Sequence, residues 1–345
     1  MTNQPLGFGV LGLGRVGPAH ARTIAANPRA RLVAIADADE TKLARTAGQY
    51  PGCAALKDYR DVLAHPDVQA VVICLPHWLH EQAAIDAVKA GRHVLIEKPV
   101  ANSLEECERV AAEVHKRPDL TFAVGHTQHF YPLVAGAKRL LDEGRVGRLI
   151  MAIDTWYKPH EPEKRPPWML DRKLGGGMLL MDGTHMIDRL LWTIGGRVDS
   201  VKAMNGNPIY PDIPADDTAM AFLQFDNGVV ATISRIAYRT GITQYGADYF
   251  GTNGQIKYRL PYGKHGEVGL WVGQNEVWEP VEVTPNESLA DQFDAFLNSV
   301  QTSSPPAVSV DFGLEVIRVM EAIEQSGASG REVVLEGQTV MSSAR

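Results

Sequence analysis

The segment Gly12-Leu13-Gly14-Arg15-Val16-Gly17 follows the apolar run Phe8 to Leu11 and precedes a helical pattern, so a Gly-x-Gly-x-x-Gly spacing falls at a strand-to-helix turn. In such a unit the first glycine permits the tight turn, the second lets backbone approach a pyrophosphate, and the third lets helix and sheet pack closely. The phosphates then meet the unpaired N–H groups and the positive dipole end of the helix. Alone, the motif is weak in a chain with 32 glycines. Its context strengthens it. The next apolar run, Arg31 to Ala36, ends at Asp37, which lies 20 residues after Gly17. A carboxylate there can accept hydrogen bonds from the adenosine ribose hydroxyls and repels a 2′-phosphate, so NAD is expected and NADP disfavoured. Without that context Asp37 is an ordinary turn acid ahead of Asp39 and Glu40.

From residue 6 to about 125, β-branched runs alternate with amphipathic helices: strands at 6–11, 31–36, 69–74, 93–96 and 121–124, helices at 16–26, 39–48, 78–90 and 103–116. This alternation predicts an α/β, doubly wound parallel sheet of Rossmann type over 1–126. Asn27-Pro28 and Gly91 end helices, and Ser103 with Glu106 predicts a capping box. After residue 125 the rhythm changes. A helix at 132–143, a strand at 148–156, a Pro-rich loop from Lys158 to Pro167 and a helix introduced by Gly175-Gly176-Gly177 are expected. Alternating runs at Thr218 to Phe225, Val229 to Ile236 and Gln255 to Leu260 follow, separated by Asp226-Asn227-Gly228 and Asn253-Gly254 hairpin signals. Helices at 288–301 and 311–326 finish the chain. The second domain, 127–345, is expected to be α+β with a largely antiparallel open sheet.

At 345 residues the chain can bury two cores. Its 34 Lys and Arg against 41 Asp and Glu, a net charge of −7, give no electrostatic reason to expect nucleic acid or an anionic membrane as partner. Three cysteines, Cys53, Cys74 and Cys107, fit a reducing compartment. No leader pattern or bilayer-length apolar stretch is visible, so a cytoplasmic location is expected.

Glu97-Lys98-Pro99 stands directly after the strand His93 to Ile96. Ligands of open parallel sheets bind beyond the C-terminal ends of the strands, so all three residues are expected to face the cofactor. An ammonium there can hydrogen-bond a substrate oxygen and stabilise negative charge as hydride leaves or arrives. Pro99 restricts the local backbone and suggests a cis peptide before it. Lys98 could instead pair with Glu97 as a loop salt bridge.

The chain resembles, over nearly its whole length, the glucose-fructose oxidoreductase, inositol dehydrogenase and rhizopine-catabolism (Gfo/Idh/MocA) oxidoreductases. The resemblance rests on GLGRVGPAHA with Asp37, CLPHWLH over 74–80, GRHVLIEKPVA over 91–101, VGHTQHFYP over 124–132, and GGG followed by GTHMID over 175–188. It implies an NAD(P)-binding Rossmann domain, a C-terminal domain whose open sheet face walls the substrate site and supports a homodimer or homotetramer, and a sugar or polyol substrate. Lys98 matches the family's catalytic lysine and His185 its helix histidine. An imidazole titrates near working pH and can exchange the hydroxyl proton. Cofactor contacts are expected from Gly12, Leu13, Gly14, Arg15, Val16, Gly17, Asp37, Cys74, Leu75, Pro76, His77, His80, Glu97, Lys98, Pro99 and Thr127.

Two departures matter. Many relatives that oxidise polyols carry an aspartate four residues before the histidine; here that position is Met181, and Asp182 stands three before His185. Asp182 could still orient the imidazole, as a catalytic and substrate-contacting residue, or point elsewhere, with Asp188 a helix-surface acid. Relatives also often show Asn-Arg-Arg where this chain has Thr127-Gln128-His129. Losing both arginines removes a fork for phosphate or carboxylate, so a neutral sugar, glycoside or cyclitol is expected, with Gln128 as a contact. Tyr157, Arg165 and Trp168, placed in the loop before the glycines, read equally as a sugar platform or as loop packing. The pairs His77/His80 and His126/His129 have metal-ligand spacing, yet no cysteine or carboxylate cluster completes a site, and no metal is expected.

The sequence therefore predicts an NAD-dependent oxidoreductase moving hydride between a secondary hydroxyl and nicotinamide, with Lys98 and His185 as catalytic groups. Alternatives are a cyclic cis-dihydrodiol dehydrogenase, a glycoside-modifying enzyme with transient redox on retained NAD, and a non-catalytic NAD-sensing regulator.

Overall fold

Strand-turn-helix repeats build the first part of the chain. The computed structural model describes residues 4–261 and 267–335, and they divide into two compact units, 1–127 with 287–314 and 128–286 with 315–345. The first unit runs β1 (Leu6–Leu11), α1 (Gly17–Ala26), β2 (Ala30–Ala36), α2 (Glu40–Ala47), β3 (Ala54–Leu56), α3 (Tyr59–Ala64), β4 (Ala70–Ile73), α4 (His80–Lys89), β5 (His93–Glu97), α5 (Leu104–His115) and β6 (Phe122–Gly125). Its strands are parallel in the order β3-β2-β1-β4-β5-β6. The order reverses between β1 and β4, which opens a crevice at their C-terminal ends. Helices on both faces explain why these strands are apolar throughout, with Phe8, Val10, Ile35, Val72 and Leu95 buried. The Ser103 hydroxyl accepts from Glu106 N, and Glu106 reaches back to Asn102 N, close to the predicted box. β3 and α3 are too short to carry a periodic signal in the sequence.

The second unit contains α6 (Pro132–Asp142), β7 (Leu149–Pro159), α7 (Thr184–Ile194), β8 (Val198–Gly206), β9 (Thr218–Phe225), β10 (Val230–Tyr238), β11 (Gln244–Gly251), β12 (Gly254–Arg259), β13 (Gly269–Gln274) and β14 (Val277–Pro280). After α8 (Ser288–Thr302) come α9 (Val310–Ser329) and β15 (Val333–Val334). The sheet order is β14-β13-β12-β11-β7-β10-β9-β8-β15, antiparallel except where β7 and β10 run parallel. Period-two alternation is clear on β9, where Ala219, Ala221, Leu223 and Phe225 are buried while Met220 and Phe222 are exposed.

Two sequence expectations are corrected. β7 continues to Pro159, so Tyr157 lies in a strand and not in the loop. The segment 287–314, expected within the second domain, belongs to the first unit. There α8 covers β1: the Phe293 and Phe296 rings lie 5.0 and 6.2 Å from that of Phe8, while Asp294 accepts from Asn27 and Arg29 at the end of α1. Among the described residues no helix is long and apolar enough to cross a membrane.

The approach to α7 is irregular. Leu179–Gly183 forms a π-helical turn in which Thr184 N reaches Leu179 O, and α7 continues from it. Such turns mark places where a helix face is re-aimed. Asp216 caps the turn: its Oδ2 accepts from Leu179 N at 2.7 Å and its carbonyl from Met178 N at 3.0 Å. Burial pushes the Asp216 carboxyl up to about 7, against the Leu179 N–H and Arg172 and with Glu324 adding to it. A carboxyl raised by folding holds its proton more tightly in the native state. Its contribution is full below the unfolded value near 4 and is lost as pH rises through about 7. Asp216→Asn keeps an acceptor without the titration, so urea unfolding should show the variant gaining on the parent between pH about 4 and about 7. Parallel pH profiles would remove Asp216 from the titration.

Candidate active site

In the first unit the glycine turn has the form a pyrophosphate requires. Gly12 has φ +94, and a Cβ there would lie 2.5 Å from Cys74 O. A Cβ on Gly17 would overlap the Gly12 carbonyl oxygen, whereas the space around Gly14 is open. Arg15 and Val16 are exposed beside it. No side chain caps the first turn of α1, leaving its backbone donors for an anion. At the end of β2, Asp37 Oδ2 accepts from Leu13 N at 2.7 Å and Oδ1 from Asp39 N at 2.8 Å. The carboxylate is thus held against the glycine turn. These residues fit a dinucleotide.

Lys98 lies half-buried just past the end of β5, and its neighbours on both sides are fixed. Glu97 Oε1 meets His20 Nε2 of α1 at 2.8 Å. Burial opposes ionisation of Glu97, but the His20 hydrogen bond and charge, with Lys98, hold its carboxyl below the usual value. The Lys98–Pro99 peptide is cis. The Pro99 carbonyl meets His80 Nδ1 at 2.7 Å, while His80 Nε2 lies 2.8 Å from Leu75 O. One imidazole therefore ties the loop after β4 to the loop after β5. Burial pushes the His80 ring below its usual pKa although both carbonyls favour the charged form. His77 is buried with its ring 5.4 Å from that of His80, and Cys74, Leu75 and Pro76 lead into it, half-buried. Thr127 donates to Gly125 O and Gln292 Oε1.

In the second unit α7 presents His185 on the turn after the π-helical segment, with the Trp156 ring of β7 6.1 Å away. The helix is pinned to the sheet from beneath. Arg189, fully buried, donates to Asp154 through Nε at 2.9 Å and Nη2 at 2.5 Å, and also to Gln128 and Tyr245. Gln128 in turn donates to the Tyr245 hydroxyl. Burial pushes the Asp154 carboxyl up to about 6 against the pull of Arg189. His129 Nε2 meets Asp188 Oδ1 at 2.7 Å, and its ring stacks on Trp192 at 4.1 Å. Asp188, expected at the helix surface, is fully buried because His129 gives it a partner.

Asp182 lies in a cation cluster. Its Oδ2 is 2.6 Å from Lys158 Nζ and 2.6 Å from Arg235 Nη2. Both cations stand over the Trp156 ring, Lys158 Nζ at 4.7 Å and the Arg235 guanidinium at 5.7 Å. Tyr157 is on the opposite face of β7, donating to Ser234 at 2.9 Å. Arg165 and Trp168 are half-buried in the following loop.

The structure brings Gly12, Gly14, Gly17 and Asp37 together, and Glu97, Pro99 and His80 around Lys98. It gives Gln128 partners inside the fold and sets Tyr157 apart from Asp182. Sequence reasoning missed Lys158, Arg235, Asp154, Arg189 and Tyr245. The one available signal was charge at inward positions of otherwise apolar strands, as in Ile233-Ser234-Arg235-Ile236.

The family model for the Gfo/Idh/MocA oxidoreductases, described as an oxidoreductase family with an NAD-binding Rossmann fold, matches residues 6–126, and that for the family's C-terminal domain matches 134–257. The chain is 33% identical over 237 residues to the 1-carboxy-3-chloro-3,4-dihydroxycyclohexa-1,5-diene dehydrogenase of Comamonas testosteroni, covering 67% of this chain and 58% of that protein. It is 30% identical over 255 residues to the scyllo-inositol 2-dehydrogenase (NAD(+)) of Bacillus subtilis, covering 72% of each. The crystal structure of aldose-aldose oxidoreductase from Caulobacter crescentus complexed with glycerol aligns with TM-score 0.86 and 25% identity, over 96% of this chain and 100% of that one. With a glycine turn and Asp37 shaped for a dinucleotide and both family domains matched in order, the chain belongs to the Gfo/Idh/MocA oxidoreductases and is an NAD-binding oxidoreductase.

Proposed function

We propose that the protein is an NAD-dependent dehydrogenase acting on a ring-borne secondary hydroxyl of a sugar, glycoside or cyclitol. The observation that carries this reading is the fixing of Lys98 between Glu97, locked to His20, and Pro99, locked to His80. A lysine held on both sides is pre-organised to donate to a substrate oxygen where charge develops. Bound NAD, cradled by Gly12 to Gly17 with Asp37 at the ribose, supplies the hydride acceptor. His185 takes the hydroxyl proton in oxidation and returns it in reduction. Asp182 acts next to it as a positioning acid. The inositol dehydrogenase relative favours a cyclitol or sugar. A cyclic cis-diol is the second reading, favoured by the Comamonas relative.

Oligomerisation as a homodimer or homotetramer is part of the proposal. Met204 and Met220 are register partners on β8 and β9, 80% and 60% exposed, with Phe222 beside them on the same face. An apolar stripe of this kind is self-complementary about a two-fold axis.

Lys98→Ala and His185→Ala should each lower kcat by about 10²-fold or more while NAD still binds, read by NADH absorbance and NAD titration. Near-normal turnover would remove that residue from the mechanism. Asp37→Ser should relax the preference for NAD over NADP, measured as the ratio of kcat/KM for the two cofactors; an unchanged ratio would refute the ribose contact. Met220→Glu should shift the assembly to smaller species in light scattering, and an unaltered mass would acquit the stripe.

A further inference from the structure

We propose that the π-helical turn Leu179–Gly183 sets the phase between Asp182 and His185, and that Arg235 and Thr184, which hold the turn, are positioning residues for the reaction. The proposal rests on the dehydrogenase reading above and deepens it. A π-turn carries one more residue than an α-turn, so the chain before it and the chain after it differ in phase by one residue, about 100° around the helix axis. Each side has its own anchor. After the turn, α7 is fixed by Arg189 on Asp154. At its start, Met178 N and Leu179 N are fixed on Asp216. Drawing the turn into a regular helix forces one side to rotate against the other. Asp182 lies inside this joint and His185 beyond it.

Two side chains serve the irregular form. In a regular helix Leu180 O would accept from Thr184 N. Here Thr184 N goes to Leu179 O, and the fully buried Thr184 hydroxyl donates to Leu180 O at 2.8 Å. The hydroxyl thus supplies the bond that the backbone N–H has withdrawn. Arg235 holds the turn from the sheet. It stands on β10, between β7 and β9, and is fully buried. Its Nη2 reaches Met178 Sδ at 3.2 Å and Asp182 Oδ2 at 2.6 Å, and Nε lies 3.2 Å from the same oxygen. Its Nη1 donates to the carbonyls of Trp156 and Ile236. One planar group therefore grips the residue before the turn and the acid inside it, with the backbone of β7 and β10 as its footing. A lysine carries the same charge but lacks that fork.

The grip bears on the reacting end of the helix. The Trp156 ring lies 5.7 Å from the Arg235 guanidinium and 6.1 Å from the His185 ring, tilted by 43° to it. A displacement of about 1 Å at a reacting group can cost about 10²-fold in rate, and a slip of one helical residue exceeds that.

The test turns on a pair of variants: Thr184→Val removes only the hydroxyl, and Thr184→Ser keeps it. By NADH formation on the intact protein, kcat should fall about tenfold or more in Thr184→Val with KM within about threefold of the parent, and return in Thr184→Ser. Arg235→Lys should behave as Thr184→Val does, although it keeps the charge facing Asp182. A parent-like kcat in Thr184→Val or in Arg235→Lys, even with a lowered Tm, overturns the proposal and leaves that side chain a purely structural role. Should the buried Arg235→Lys fail to fold, the Thr184 pair decides alone. A readout without turnover separates this claim from the dehydrogenase. In the protein free of NAD and labelled with 13C-histidine, the His185 imidazole resonance, identified by its loss in His185→Ala, feels the ring current of Trp156. It should move in Thr184→Val and return in Thr184→Ser. An unmoved resonance overturns the proposal. A moved resonance with no turnover by the parent on any sugar, cyclitol or cis-diol would refute the dehydrogenase and keep the π-turn as the device that positions His185.

Discussion

A fully buried guanidinium has no water to fall back on, and the second unit is organised around that constraint. Arg189 of α7 can exist in the core only because Asp154 of β7 meets it in a fork and Gln128 and Tyr245 take further donors. Removing one partner of such a pair destabilises by about 3–5 kcal/mol, because the other charge is left uncompensated. Its structural effect is to lock the rotation and height of α7 over the sheet. His185 sits one turn before Arg189 on the same helix, so the candidate proton carrier inherits its position from that ion pair. The His129–Asp188 pair adds a second bolt on the same helix.

The nucleotide-binding unit solves a related problem with neutral groups. Asp37 has both oxygens already receiving backbone N–H groups from Leu13 and Asp39. Its direction is set by the backbone alone, so little rotamer freedom remains to it. His80 does the same for the loop around Lys98 through two carbonyls. Neither device depends on the charge of a ligand, which suits a site that holds a large cofactor through many weak contacts.

The parts legible in the sequence were those governed by local rules. The glycine turn, Asp37, the parallel alternation and the β9 hairpin strand follow from period and turn chemistry, and the structure has them in place. The boundaries of β7 and the fate of 287–314 were illegible because tertiary contacts decide them: Tyr157 joins a strand through its pairing with β10 and β11, and α8 is drawn to Phe8. The cation cluster was hidden for another reason. Lys158 was read as loop and Arg235 as part of an apolar strand, and only packing reveals that both turn toward Asp182. The π-helical turn before His185 has no sequence signature at all.

The return of α8 bears on how the chain is made. Phe8 emerges from the ribosome long before Phe293 and Phe296, which cover it and lie nearly 300 residues further along the chain. Domains generally fold as units in the order of synthesis. Here the nucleotide-binding unit is not contiguous, and its apolar face stays uncovered until strands β7 to β14 have been translated. Completion of the first unit thus follows synthesis of residues 128–286 of the second, and a nascent chain cut short before residue 287 lacks the helix that covers Phe8.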